Sequence, residues 1–339
     1  MAIQNRIGVL LVNLGTPDSP QVPDVRKYLR EFLLDERVID IPTVQRNLLV
    51  RGIIAPFRAP KSAKTYKEIW TDEGSPLLVY SKQLLKKMHG ALGENYIVEL
   101  AMRYQQPSID NGLKKLKDER CSEIIVVPLF PHYASASFGS VVQKVMEIVG
   151  AWQTIPAIRF TGSFHNHPLF IKAFCAIGSA HQPENYDHVL FSYHGLPERQ
   201  ILKGADGNDC LTGNCCGNLH AKNYLCYRAQ CFDTSRLIAA QLNIPDEKYT
   251  VCFQSRLGKT PWIKPYSSNV VEQLAKEGKR TILMFSPAFV ADCLETIYEI
   301  AVEYHEEFKH AGGEKIQLVE SLNDSQLFVD CLVDMIGKK

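Results

Sequence analysis

Short apolar runs alternate along this sequence with longer stretches in which apolar residues return every three or four positions, and this alternation limits the fold more than any other feature. The runs cover residues 7–14, 97–102, 124–129, 189–193, 250–253 and 281–285. Their length and their Val, Ile and Phe content suit strands covered on both faces. Helical periodicity follows over residues 23–33, 138–149, 234–242, 270–276 and 294–309. Strand followed by helix, repeated, predicts parallel strands joined by crossover helices, an α/β chain. A Pro-containing stretch around residues 152–160 separates two such series. It predicts an N-terminal domain over 1–155 and a C-terminal domain over 156–339, both of ordinary size.

In open parallel sheets, ligands bind beyond the carboxyl ends of the strands. Asn13, His132, His194, Gln254 and Pro287 stand just after apolar runs. In FSYHGLP (191–197) the imidazole of His194 follows a strand and precedes a Gly/Pro turn. There it can serve as a base or metal ligand near neutral pH, and on the residues alone a structural histidine fits equally well. A second constellation is FSPAFVADCLET (285–296), which leads into a helix. Asp292, Glu295, Glu299 and Glu303 follow at intervals of three, four and four, which places them on one face of an α-helix. Such a stripe is either a solvated face or a cation-binding row. The position of Asp292 and Glu295 directly after a strand and a turn favours the row.

Composition excludes several classes. A net charge of +1 without a basic stripe argues against a nucleic-acid partner. Residues 1–6 lead directly into the apolar run 7–14, too short for a secretory leader, which predicts a cytoplasmic protein. No apolar run approaches the roughly 20 residues that span a bilayer, so any membrane contact should be peripheral. Of ten cysteines, Cys121, Cys175, Cys252, Cys293 and Cys331 have apolar neighbours and read as small buried hydrophobes. The other five crowd into one polar segment as Cys210-x4-Cys215-Cys216-x9-Cys226-x4-Cys231. Turn formers surround them, and clustered thiolates in a loop suit zinc or an iron–sulfur cluster, unless they remain unligated.

Four segments, GVLLVNLGTP (8–17), SYHGLP (192–197), FQSRLG (253–258) with Pro261 and Trp262, and AFVADCLET (288–296), together resemble ferrochelatases, in order and over nearly the whole chain. The resemblance implies two similar Rossmann-like domains, each with a parallel sheet flanked by helices (the chelatase fold), with a porphyrin cleft between them. It implies insertion of Fe²⁺ into protoporphyrin IX to give protohaem, the terminal step of haem biosynthesis. His194 matches the family's active-site histidine and Glu295 its facing carboxylate, the two groups that meet the iron. Asp292, Glu299 and Glu303 match an acidic row. Arg58, Tyr66, Ser75, Arg103 and Tyr104 match positions that contact the porphyrin or position the metal, and Trp262 and Phe289 match aromatics near the macrocycle. Cys293 stands where animal members have histidine, so no proton relay is carried over at that position.

The chemistry agrees. Metallation requires two pyrrole protons to leave and the ion to shed water, work for which a neutral imidazole and carboxylates are suited. Bending the macrocycle towards the ion costs ~1–5 kcal/mol, which aromatic walls and cations on the propionates can supply. The apolar stretch 48–57, with Arg51 and Arg58, resembles the lip of protoporphyrin-using members and could rest on the inner face of the cell membrane. The cysteine segment, about 204–231, resembles an insertion that in some members carries a [2Fe–2S] cluster. The preferred ligands are Cys210, Cys215, Cys216 and Cys226, with Cys231 as the alternative. Competing readings are a chelatase for coproporphyrin III or cobalt, and a non-catalytic bilobal tetrapyrrole- or metal-binding protein.

Overall fold

Each of the six apolar runs becomes a strand. The computed structural model describes residues 6–205, 210–258 and 260–337. In chain order its elements are β1 (Ile7–Gly15), α1 (Val22–Leu34), α2 (Thr43–Leu48), α3 (Ala55–Ile69), α4 (Pro76–Leu92), β2 (Tyr96–Tyr104), α5 (Ile109–Asp118), β3 (Glu123–Pro128), α6 (Ser140–Gly150) and β4 (Ala157–Phe160). There follow α7 (Pro168–Ala180), β5 (His188–His194), α8 (Glu198–Lys203), α9 (Tyr227–Gln241), β6 (Tyr249–Gln254), α10 (Ser267–Lys276), β7 (Thr281–Phe285), α11 (His305–His310), β8 (Lys315–Leu318) and α12 (Gln326–Gly337). Three segments wind as π-helix: Leu49–Ile54, Ser135–Gly139 and Leu294–Tyr304.

The chain divides into two compact units. One comprises Met1–Phe130, Ala134–Gly162 and Asn323–Lys339, the other Pro131–Tyr133 and Ser163–Leu322. This corrects the boundary at residue 155 in two ways. β4 completes the first sheet by pairing with β3, which moves the boundary beyond it. The C-terminal α12 also returns to the first unit, where it packs on α4 and the Arg159 guanidinium donates to the carbonyls of Met335 and Ile336.

Both sheets are wholly parallel and share one topology, β2-β1-β3-β4 in the first and β6-β5-β7-β8 in the second. In each, the first strand is central, the second pairs on one side and the third on the other. The strand order therefore reverses at β1 and at β5, and the carboxyl end of each is the place where an open α/β sheet binds its ligand. The core packs as the apolar runs require. Leu10, Val12, Ile124 and Val126 meet α5 and α6 in the first unit. Leu190, Ile282 and Met284 meet α10, α11 and the long π-helix in the second. Gly15 closes β1 at φ +117°, and a Cβ there would lie 2.1 Å from the Tyr104 carbonyl oxygen, so only glycine fits.

Candidate active site

His194 is the last residue of β5, at the end of the strand where the order reverses. Its Nδ1 lies 2.6 Å from the Gly195 carbonyl oxygen. A carbonyl only accepts, so in the neutral ring the proton sits on Nδ1 and the Nε2 lone pair is available as base or ligand. The ring is half-buried, with its centroid 6.4 Å from that of Trp262 and 6.5 Å from that of Phe289. Trp262 is held by donating Nε1–H to the Leu257 carbonyl at 3.0 Å. Gly195 permits this crowding, because a Cβ there would stand 2.8 Å from the Gln254 carbonyl oxygen and 3.2 Å from the Trp262 ring. The expected grouping of His194, Trp262 and Phe289 is therefore present within the second unit.

The carboxylates separate into distinct parts. Glu295 lies in the first turn of the π-helix Leu294–Tyr304, half-buried, and its backbone carbonyl accepts from Gln254 Nε2 at 2.9 Å. Glu299 accepts from Gln254 Nε2 at 3.0 Å, from Ser255 N at 2.8 Å, from Ser255 Oγ at 2.5 Å and from the Tyr304 hydroxyl at 2.9 Å. Glu303 is exposed. Beyond it Glu307, which the sequence reading missed, continues the row; desolvation and then repulsion from Glu303, Glu299 and Glu272 push its carboxyl up. The i→i+5 ladder of a π-helix changes the α-helical spacing assumed above but still leaves residues four apart near one another, so the row survives.

Asp292 does not join it. It precedes the helix, is buried, and its Oδ1 accepts from Thr296 Oγ1 at 3.0 Å and Ser321 N at 3.1 Å. There it braces the turn that leads into Glu295. Cys293 beside it is buried too, and burial followed by the charge of Glu295, to which it is hydrogen-bonded, pushes its thiol far up. It stays protonated and is a donor, not a base.

Gln254 was noted only as a strand-end residue. Its Oε1 accepts from Ser192 Oγ at 2.7 Å while its Nε2 serves the π-helix, so one amide ties β5, β6 and the acidic helix together. Ser255 is held at φ +63°, a strained conformation for serine that its two hydrogen bonds to Glu299 maintain.

In the first unit the residues matched to porphyrin contact fare unevenly. Arg58 is exposed on α3. Tyr66 is buried with its ring edge-on to Tyr28 and Trp70, and Ser75 is buried and accepts from Thr16 Oγ1 at 2.8 Å. Tyr104 is fully buried and gives its hydroxyl to Asp35 Oδ2 at 2.9 Å, where Arg103 Nη2 at 2.6 Å and Ser140 Oγ at 2.5 Å also donate. Tyr104 therefore belongs to the framework that orients Arg103. The stretch 48–57 is two-faced: Leu48, Ile53 and Phe57 are 70%, 57% and 78% exposed, while Val50 and Ala55 are buried. Buried Arg46 pins its root by donating to the carbonyls of Ile39 and Ile41.

The scattered cysteines Cys121, Cys175, Cys252, Cys293 and Cys331 are all buried, as expected of small hydrophobes. Residues 206–209 of the cysteine segment lie outside the described residues. Its remaining thiols gather at the start of α9. The Cys215 and Cys216 sulfurs are 3.6 Å apart, and Cys210 interacts electrostatically with Cys226 and Cys215. A hydrogen bond from Cys216, then backbone N–H groups of Ala229 and Arg228 at the helix N-terminus, pull Cys226 down. Cys231 is different: it is fully buried one turn into α9 and hydrogen-bonded to Tyr227, so it is a core residue after all. Among the described residues, no three His, Cys, Asp or Glu side chains stand in metal-binding geometry.

A family model described as Ferrochelatase matches residues 6–339. The ferrochelatase of Legionella pneumophila (strain Lens) is 44% identical over 334 residues, covering 98% of this chain and 99% of the relative. That of Coxiella burnetii (strain Dugway 5J108-111) is 43% identical over 338 residues, covering 98% and 94%. Among solved structures, SirB from Bacillus subtilis with Fe3+ superposes with a TM-score of 0.55 at 11% identity, over 98% of this chain and 94% of that one, a likeness of fold.

Proposed function

The chain belongs to the ferrochelatase family, and we propose from that premise that it converts Fe²⁺ and protoporphyrin IX into protohaem with His194 and Glu295 acting on the reacting atoms. It is a lyase of haem biosynthesis that inserts iron into a porphyrin. The observation that carries the residue assignment is the geometry at the end of β5, where an imidazole with a free Nε2 lone pair stands beside two aromatic rings.

The reaction exchanges two pyrrole N–H protons for one Fe²⁺, so the macrocycle's net charge does not change. His194 Nε2 accepts the two pyrrole protons one after the other, passing the first to solvent before it takes the second, while Trp262 and Phe289 give the macrocycle apolar faces to pack on. Glu295 attracts the ion and helps strip its water, and Glu299, Glu303 and Glu307 extend that negative field along the helix towards solvent. Asp292, Gln254 and Ser255 hold this row in place. In the first unit, Arg58 and Arg103 are the cations suited to propionates, and Tyr66 and Ser75 match positions that contact the porphyrin or position the metal. Anaerobic competition between porphyrins tests the substrate assignment: protoporphyrin IX should be metallated faster than coproporphyrin III, and the reverse order would reassign the substrate.

The exposed Leu48, Ile53 and Phe57 support peripheral contact with the cytoplasmic face of a membrane, where an apolar porphyrin is delivered. No helix among the described residues is long and apolar enough to cross one. Apolar burial contributes ~25 cal/mol per Å², so a few side chains should give weak, reversible association. Flotation with liposomes containing anionic lipid should carry the wild type, and Phe57→Ser should weaken it. A wild type that never floats confines the lip to the porphyrin.

The reading of Cys210, Cys215, Cys216 and Cys226 as holding a [2Fe–2S] cluster rests on the sequence resemblance; among the described residues these thiols do not stand in metal-binding geometry, so a cluster would have to draw them together. All four are soft donors near a helix N-terminus, and Arg228 Nη1 lies 3.0 Å from Cys216 Sγ. Bound there, a cluster would supply four metal–thiolate bonds to order a segment otherwise short of apolar surface, offsetting ~1–2 kcal/mol of entropy per residue.

A further inference from the structure

We propose that Glu299 is a positioning residue whose carboxylate is committed to the protein rather than to iron, and which, through Ser255, sets the tilt of the Trp262 ring. An ionised carboxylate offers about four acceptor sites. On Glu299 all of them are occupied. Oε1 accepts from Ser255 N at 2.8 Å and from the Tyr304 hydroxyl at 2.9 Å, while Oε2 accepts from Gln254 Nε2 at 3.0 Å and from Ser255 Oγ at 2.5 Å. Burial and then the charge of Glu299 raise the Tyr304 phenol far above the usual range, so it stays a donor. A cation approaching Glu299 would have to displace one of these bonds. Glu299 therefore lends the acidic row its charge without serving as a ligand.

The π winding of Leu294–Tyr304 makes this clasp possible. Residues five apart lie on successive turns of an i→i+5 ladder, so Tyr304 falls beneath Glu299, where an α-helix would turn it away.

Ser255 passes the constraint on. It directly follows β6 at φ +63°, with both its N–H and its hydroxyl on Glu299. Arg256, Leu257 and Gly258 after it are exposed, so no buried side chain anchors them, and the Arg256 guanidinium lies over the Tyr266 ring at 4.6 Å. Yet the Leu257 carbonyl is what holds Trp262 Nε1. The Trp262 backbone is placed separately, by its bridge to Pro197 and by Ile263 N donating to the Leu196 carbonyl at 3.0 Å. What the 255–257 segment controls is thus the tilt of the indole, which stands against Gly195 and the His194 ring. The inference rests on the reading of Trp262 as a wall for the macrocycle and adds the residue that aims it.

The test compares full-length wild-type protein with Glu299→Gln, Glu299→Asp and Ser255→Ala. Gln keeps the length but turns a donor towards donors, Asp keeps the charge but falls one methylene short, and Ser255→Ala removes one bond with Glu299 intact. The first readout needs no porphyrin: the Trp262 indole N–H resonance in protein labelled with ¹⁵N-tryptophan, assigned by its loss in Trp262→Phe. It should shift and exchange faster in all three variants. The second is kinetics without oxygen, in which KM for porphyrin should rise about three- to tenfold in both Glu299 variants, the scale of one lost hydrogen bond, and less in Ser255→Ala. KM for Fe²⁺ should stay near wild type in Glu299→Asp, which retains the charge. Glu299→Asp with the wild-type indole resonance and porphyrin KM overturns the inference and leaves Glu299 its charge alone. Trp262→Ala with the wild-type KM for porphyrin overturns the wall reading instead, and the indole resonance still decides the link from Glu299. Should the Glu299 variants fail to fold, Ser255→Ala decides: an unshifted indole resonance overturns the link.

Discussion

Replacing His194 with alanine should abolish iron insertion while leaving porphyrin affinity within about tenfold, or ~1.4 kcal/mol. The two effects separate because the ring occupies a small part of the aromatic surface offered to the macrocycle. Trp262 is anchored to the Leu257 carbonyl and Phe289 stands on its own turn, so neither depends on the imidazole for its place. What the variant loses is the basic Nε2. General bases typically contribute 10²–10⁴-fold, so turnover should fall to roughly a hundredth or below. Fluorescence titration with porphyrin, alongside haem formation under exclusion of oxygen, measures both quantities. A variant retaining more than about a tenth of wild-type turnover would remove His194 from proton transfer.

The carboxylates should differ in importance along the helix. Glu295→Gln keeps the shape and removes a half-buried charge in the first turn of the π-helix, and turnover should fall by about the tens to hundreds-fold expected when a preorganised charge is lost. Glu303→Gln should cost much less, because an exposed charge is screened by water and salt. Steady-state kinetics in Fe²⁺ at two ionic strengths distinguishes the two: the Glu303 effect should shrink with salt and the Glu295 effect should persist. Equal, small losses in both variants would return the row to a solvated surface.

The central strands of both sheets were legible because burial on two faces leaves a continuous apolar run. The edge strands were not. Ala157–Phe160 and Lys315–Leu318 are four residues each, partly exposed, and carry Arg159, Lys315 and Gln317. The start of α9 was hidden for the opposite reason: Gln230, Asp233, Thr234 and Ser235 are buried there, satisfied by distant partners, so no apolar stripe marks the helix. Nothing in residue type announced that Leu294–Tyr304 winds as π rather than α.

At the site, local signals succeeded and long-range ones failed. A histidine at the end of an apolar run was visible in seven residues. The Gln254 bridge to Glu299 joins positions 45 apart in the chain, and the Asp35 clasp on Tyr104 joins positions 69 apart. Such pairings are set by topology. The bond from Ser321 N to Asp292 likewise joins positions 29 apart.

The central claim is that this chain itself exchanges pyrrole protons for iron at His194. Rapid mixing of porphyrin-loaded wild-type protein with Fe²⁺, without oxygen and in a weakly buffered solution with a pH indicator, tests it in one turnover. The account predicts that the free-base porphyrin spectrum gives way to that of haem as two protons are released for each haem formed, and that the His194→Ala protein keeps the free-base spectrum. Porphyrin that stays bound and metal-free in the wild type, or haem that forms at the same rate in both proteins, would contradict it.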